Sequence, residues 1–123
     1  MKTDYASSLF EALSSNIRLE IFRLLVRYAP NGLVAGDIAT HLNLPANKLS
    51  FHLKNLVHSE LIIMEKEGRF IRYRARIPLM LDLIAFLTEN CCQGNTGQCQ
   101  CFREESGISP HFLPSLSSEK GDD

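Results

Sequence analysis

A chain of 123 residues is about one domain by length. Its 45% apolar and 22% charged residues suit a globular protein with one modest core, and argue against a disordered chain, a collagen-like fibre or a large multidomain enzyme. No apolar run approaches the ~20 residues of a membrane helix, and the opening MKTDYASSLFEAL has acids and no apolar h-region, so neither a membrane span nor a secretory signal is expected and the expected location is the cytoplasm. The formal net charge of −1 hides an asymmetry, +3 over residues 1–87 against −4 over residues 88–123. Phosphate contacts depend on local charge, so this total does not exclude a nucleic-acid partner. The cations are concentrated, with Lys66, Arg69, Arg72, Arg74 and Arg76 inside eleven residues.

Residues 5–14 place Leu9, Phe10 and Leu13 at i, i+1 and i+4, which predicts a short amphipathic helix. Asn16 is expected to cap a second helix, Ile17 to Tyr28, with Ile17, Ile21, Leu24, Leu25 and Tyr28 on one face and Arg18, Arg23 and Arg27 away from it. Pro30-Asn31-Gly32 stops it. A third helix over about residues 35–42 buries Ile38, Ala39 and Leu42, and Asn43-Leu44-Pro45 makes a tight connection to a fourth over about residues 46–59. The fourth gathers Leu49, Leu53 and Leu56 on one side and Asn47, Lys48, Phe51, Lys54, Asn55 and His58 on the other.

Two strand-like runs, residues 61–67 and 70–76, flank Gly68-Arg69 and predict a hairpin. The second run alternates, with Phe70, Arg72, Arg74 and Arg76 against Ile71, Tyr73 and Ala75. Pro78 opens a fifth helix that reaches Cys92. Its stripe of Leu79, Met80, Leu83, Ile84 and Leu87, widened by Leu81 and Phe86, is more apolar surface than a helix at the edge of so small a domain can bury alone. The simplest partner is the same helix of a second copy. The expected organisation is thus a folded domain over residues 1–92, a Cys-containing loop over 93–102, and a disordered acidic tail over 103–123, rich in Gly, Ser and Pro.

This order of elements describes a winged helix-turn-helix, mainly α with a small β-hairpin. In that architecture the second helix of the motif enters the major groove and presents side chains to base edges. Asn47, Lys48, Ser50, Phe51, His52, Lys54 and Asn55 fall on or beside the polar face of the fourth helix, and Lys66, Arg69 and Arg72 near the hairpin tip suit phosphates or the minor groove. A cationic helix face also serves merely as a solvated face, a basic strand as a guarded sheet edge, and winged helices as protein-interaction modules.

LSSNIRLEIFRLL, then GDIATHLNLPANKLSFHLKNLVHSELI, then EKEGRFIRYRARI resembles the ArsR/SmtB family of small dimeric winged-helix repressors. The resemblance covers roughly residues 7–92, and LSFHLKNL is its most specific part. It implies double-stranded operator DNA as partner, read by the fourth helix and released when a metal ion or metalloid binds. It also implies a homodimer through the first and last helices, with Leu9, Phe10, Leu13, Leu79, Met80, Leu83, Ile84 and Leu87 at the interface. Glu60 stands where many members carry a small residue.

Cys91, Cys92, Cys99 and Cys101 lie within eleven residues, and no other residue is cysteine. In a cytosolic chain such a cluster points to metal or redox chemistry. Among the ligand sites the family uses, a Cys group at the start of the third helix is missing from Leu33–Ala39, and paired His and carboxylates along the last helix are missing because that helix has no His. The remaining stretch resembles an arsenic-responsive branch in which a vicinal Cys pair ends the last helix and a further Cys follows a short Gly-containing loop. Thiolates select soft ions, and As(III) takes three of them in a pyramid; Cys99 is the expected third ligand and Cys101 the second choice. Zinc, cadmium or lead, and a thiol–disulfide switch, are the competing chemistries. No organic cofactor is implied. No catalytic set is evident: a cysteine-dependent arsenate reductase needs a phosphate-cradling loop beside its nucleophile, and none precedes Cys91.

Overall fold

The structure, a computed structural model, describes residues 1–108. The chain runs α1 (Thr3–Ala12), α2 (Asn16–Arg27), β1 (Leu33–Val34), α3 (Ala35–Leu42), α4 (Ala46–His58), β2 (Ile62–Glu67), β3 (Phe70–Ala75), α5 (Ile77–Thr88), a 3-10 turn (Cys91–Gly94) and α6 (Thr96–Ser106). Two compact units divide it, Met1–Met80 and the segment from Leu81 onward. Helix α5 gives its first turn to the first unit and the remainder to the second. Among the described residues, no helix is long and apolar enough to cross a membrane.

The first unit is a winged helix-turn-helix. Its core gathers Leu9, Ile21, Leu25, Ile38, Leu53, Leu56, Leu61 and Ile62, all buried. The residues from Leu9 to Leu56 belong to the stripes that helical spacing predicts on α1 to α4, of which Phe10 and Tyr28 are exposed, while Leu61 precedes β2 and Ile62 opens it. The cap of α2 is Ser15 rather than Asn16: the Ser15 hydroxyl accepts from the Arg18 amide at 3.3 Å, and Asn16 is already the first helical residue. Asn43 takes a left-handed conformation (φ 52°) that ends α3, and the Leu44 amide closes on the Ala39 carbonyl at 3.1 Å. A short polar side chain tolerates that backbone region better than most residues, so the tight connection between α3 and α4 is written in Asn43.

The hairpin of β2 and β3 pairs from Ile62 opposite Ala75 to Glu67 opposite Phe70. It gains a third strand, β1, on its other edge, with Leu33 opposite Tyr73 and Val34 opposite Arg72. Two residues are too few to show alternation in sequence. Gly32 leads into this strand at φ +70°, with Tyr73 O only 2.0 Å from where a Cβ would sit.

The second unit departs from the sequence reading in two ways. Helix α5 ends at Thr88, four residues short of Cys92. The Thr88 hydroxyl turns back to the Ile84 carbonyl at 2.9 Å, and Asn90 (φ 59°), Cys92 (φ 59°) and Gln93 (φ 50°) are all left-handed. Cys91 therefore leaves the helix and does not continue its apolar stripe. The expected loop and the start of the expected tail are instead helix α6, capped by the Asn95 side chain accepting from the Gln98 amide at 3.0 Å and ended by Gly107 at φ 74°. The sequence TGQCQCFREES lacks an apolar stripe, so periodicity missed it; the Asn95 cap was its one signal. Residues 109–123 of the expected tail lie outside the described residues.

Of the expected interface set, Leu9 has no exposed surface and Leu83 is buried, both within the single chain. Leu9 is a core residue of the first unit and has nothing to offer a partner. Leu13, Leu79, Met80 and Ile84 are half-buried, whereas Phe10 and Leu87 are exposed.

Candidate metal centre and nucleic-acid interface

Three of the four cysteines converge in the second unit. The Sγ atoms of Cys91 and Cys92 are 3.4 Å apart, Cys99 Sγ is 3.6 Å from Cys91 Sγ, and all three lie within 4.8 Å of one another. The backbone explains the convergence. The left-handed turn at Asn90, Cys92 and Gln93 brings two vicinal thiols to one side, and Asn95 starts α6 so that Cys99 falls in its first turn, its amide bonded to the Asn95 carbonyl at 3.0 Å. Cys99 is 2% exposed, Cys92 half-buried and Cys91 exposed. Cys101 is two positions further along α6, about 200° around the helix axis, exposed and outside the group. Of the two residues that spacing leaves as alternatives, Cys99 lies with the vicinal pair and Cys101 does not.

The thiols share protons. Hydrogen bonding from the Cys92 thiol, then from Cys91 and Arg103, holds Cys99 below the usual thiol range despite its burial. The same bonding to Cys99 and Cys91 pushes Cys92 up to about 12. The three sulfurs thus hydrogen-bond to one another, an arrangement that concentrates soft donor density on one side of the 3-10 turn. All four cysteines are free thiols.

In the first unit, α4 exposes Asn47, Lys48, Ser50, Phe51, Lys54 and Asn55 on one face, with Leu49, Leu53 and Leu56 buried on the other. Asn55 turns its amide back to the Phe51 carbonyl at 3.3 Å. His52 does not share that open face: it is half-buried, its Nδ1 3.4 Å from Arg18 Nη1. Arg18 is itself fixed by donating from Nε to the Ala12 carbonyl at 2.7 Å. Burial, then the positive charges of Arg18 and Lys48, hold His52 below its ordinary pKa, so its ring is a link between helices α2 and α4.

On the wing, Lys66 and Arg69 are exposed beside Gly68. Arg72 is not at the tip. It donates to Glu67 at 2.9 Å and reaches the carbonyls of Gly32 at 3.3 Å and Asn31 at 3.4 Å, tying the wing to the loop after α2. Arg74 pairs with Glu65. Alternation placed these arginines on one face but could not show that Glu65 and Glu67 on the neighbouring strand neutralise two of them. Sequence reasoning also missed Met64, exposed on β2, which with Phe51, Lys54, Val57 and Tyr73 lines a groove of ≈ 660 Å³ between α4 and the wing.

Residues 13–65 match a helix-turn-helix domain family. The chain is 32% identical over 101 residues to the arsenical resistance operon repressor of Staphylococcus aureus, covering 82% of this chain and 92% of that one. Among solved structures, an ArsR-like transcriptional regulator from Rhodococcus sp. RHA1 superposes with a TM-score of 0.59 at 26% identity, over 86% of this chain and 95% of that one. HlyU from Vibrio cholerae N16961 does so with a TM-score of 0.57 at 27% identity, over 71% of this chain and 97% of that one. With its winged helix-turn-helix and an identity that spans most of both chains, the protein belongs to the ArsR/SmtB family of winged-helix transcriptional repressors, DNA-binding regulators and not enzymes.

Proposed function

We propose that this protein is an arsenic(III)-responsive repressor that binds operator DNA as a dimer and releases it when arsenite or antimonite binds Cys91, Cys92 and Cys99, or when a trivalent organoarsenical binds two of these thiols. The observation that carries the reading is the convergence of these three sulfurs within 4.8 Å. A closed zinc site asks for four ligands, and among the described residues the group holds three. Three thiolates on one side suit an ion that keeps a lone pair on the other. The name of the Staphylococcus aureus relative supports the same ligand class.

DNA is read from α4 by Asn47, Lys48, Ser50, Phe51, Lys54 and Asn55, with Lys66 and Arg69 of the wing on the phosphate backbone. The dimer uses the apolar surface left on α1 and α5, namely Phe10, Leu13, Leu79, Met80, Ile84 and Leu87. The protein works in the cytoplasm, where thiols stay reduced. For arsenic to release DNA it must bind the DNA-incompetent form better. A coupling of ~1–3 kcal/mol would weaken operator affinity about 5- to 150-fold.

The test is a fluorescence-anisotropy titration of the reduced protein on DNA upstream of its own gene, followed by arsenite and, separately, by zinc, cadmium, lead and peroxide. Release by near-stoichiometric arsenite, lost in Cys91→Ser and Cys92→Ser, is the expected result. Release only by a divalent metal or by peroxide would replace the ligand chemistry while leaving the repressor. Failure to bind DNA at all would leave an interaction module.

A further inference from the structure

The middle of the exposed face of α4 is not polar. Phe51 stands there, 62% exposed, with Asn47, Lys54, Asn55 and His58 around it at the i−4, i+3, i+4 and i+7 positions. A phenyl ring this open adds little to the core, and its position is set from behind: the His52 ring stands nearly perpendicular to it (73°) at a centroid distance of 5.3 Å, and His52 is in turn beside Arg18. Across the groove, Met64 on β2 presents a second apolar side chain, 52% exposed. Lys54 lines the groove, and Lys66 and Arg69 are exposed cations on the same hairpin as Met64, so a fitting occupant is apolar at the centre and anionic at its edges. Asn55, one turn further along the helix, donates from its side-chain amide to the Phe51 carbonyl at 3.3 Å.

Duplex DNA has this chemistry. Phosphates run along both edges of the major groove, and the apolar group on its floor is the C5 methyl of thymine. We infer that Phe51, with Met64 beside it, reads thymine methyl groups in the major groove, which makes Phe51 a specificity-determining residue of the operator contact. The inference rests on the proposed role of α4 as the DNA-reading helix, and adds to it the class of base that the helix selects.

The experiment uses a duplex that the full-length protein enriches from a random library, synthesised twice, once with thymidine and once with deoxyuridine at every thymine position. The two differ only in methyl groups. Wild-type protein should bind the uracil duplex more weakly by about fourfold for each methyl in contact. Phe51→Ala should bind both duplexes within a factor of about 2, and Phe51→Leu should give an intermediate ratio; if Phe51→Ala binds neither, the leucine variant carries the comparison. Lys54→Ala should weaken binding to both duplexes while preserving their ratio, because the change removes a cation and leaves the methyl contacts of Phe51 in place. The inference is overturned if wild-type protein binds the two duplexes equally, or if the Phe51 variants keep the full wild-type ratio. Equal binding would leave the DNA-reading role of α4 intact, whereas enrichment of no duplex at all would remove that role and the inference together.

Discussion

The Tyr5 hydroxyl donates to Glu60 Oε1 at 2.7 Å, joining α1 to the residue that ends the turn after α4. Glu60 holds a left-handed backbone, φ 74°, a region that favours glycine. The bond to Tyr5 gives the carboxylate a partner at a position where many members of the family carry a small residue. The conformation costs a non-glycine residue ~1–2 kcal/mol, and the hydrogen bond to Tyr5 offsets part of it. The carboxylate correspondingly holds the Tyr5 hydroxyl above its ordinary pKa. Glu60→Ala keeps the backbone cost and loses the bond, whereas Glu60→Gly loses the bond and relieves the cost. The glycine variant should therefore be the more stable of the two by ~1 kcal/mol in urea denaturation, and an alanine variant of equal or greater stability would contradict this account.

Gly32 and Gly68 both have positive φ, at 70° and 64°, but only Gly32 faces a wall. A Cβ there would sit 2.0 Å from the Tyr73 carbonyl oxygen and force β1 away from β3, whereas a Cβ at Gly68 meets nothing within 4 Å. Gly32→Ala should cost ~3 kcal/mol or more and Gly68→Ala about 1 kcal/mol. Thermal melts of the two variants, run side by side, check the difference.

His52 gives the fold a pH dependence. Burial and the nearby Arg18 and Lys48 lower its pKa below the 6.5 of the free side chain. As pH falls below about 6.5, the unfolded chain takes up this proton before the folded one does. The neutral ring's contribution is thus present above that pH and is lost as pH falls through the folded-state value. Stability should decline between pH 7 and pH 5, and His52→Gln should show a shallower decline over the same range. A variant whose melting temperature tracks wild type at every pH would assign the slope to other groups.

Leu9 and Phe10 are adjacent on α1 yet face different surroundings. Leu9 has no exposed surface and Phe10 is 43% exposed. Leu9→Ala should destabilise the protomer by ~2–5 kcal/mol, as for other emptied core sites. Phe10→Ala should leave protomer stability within about 0.5 kcal/mol. In the proposed dimer it should instead raise the dissociation constant measured by sedimentation equilibrium. An unchanged constant would remove Phe10 from the interface.

The helices and the hairpin of the first unit were legible because each carries its own signal, whereas the two-residue strand β1 carries none. Leu49, Leu53 and Leu56 give α4 its helical stripe, Gly68 marks the hairpin turn, and Asn43 marks the turn inside the helix pair. Side-chain roles set by other elements were not legible. His52 lies in the most recognisable stretch of the sequence, yet its partner Arg18 is 34 residues away. Arg72 reads as a free cation until Glu67 and the carbonyls of Asn31 and Gly32 surround it. In the second unit the cysteine cluster was legible from composition alone. Its geometry was not, because it depends on three left-handed non-glycine residues, Asn90, Cys92 and Gln93, that no periodicity announces.

Cys99 and Cys101 separate the proposed ligand set from its neighbour. Both lie on α6, but only Cys99 reaches the vicinal pair, 3.6 Å from Cys91 Sγ, while Cys101 points elsewhere on the helix. A three-thiolate ion needs Cys99 and ignores Cys101. Reduced wild-type protein incubated with arsenite and then desalted should retain about one arsenic per chain. Cys101→Ser should retain the same amount and release DNA at the same arsenite concentration, while Cys99→Ser should lose most of its arsenic and hold DNA through the titration. Phenylarsine oxide, which needs only two thiols, should still bind Cys99→Ser through Cys91 and Cys92. If Cys101→Ser abolishes arsenite retention while Cys99→Ser preserves it, α6 must rearrange on binding, and the sulfur that completes the site is the one that is exposed in this structure.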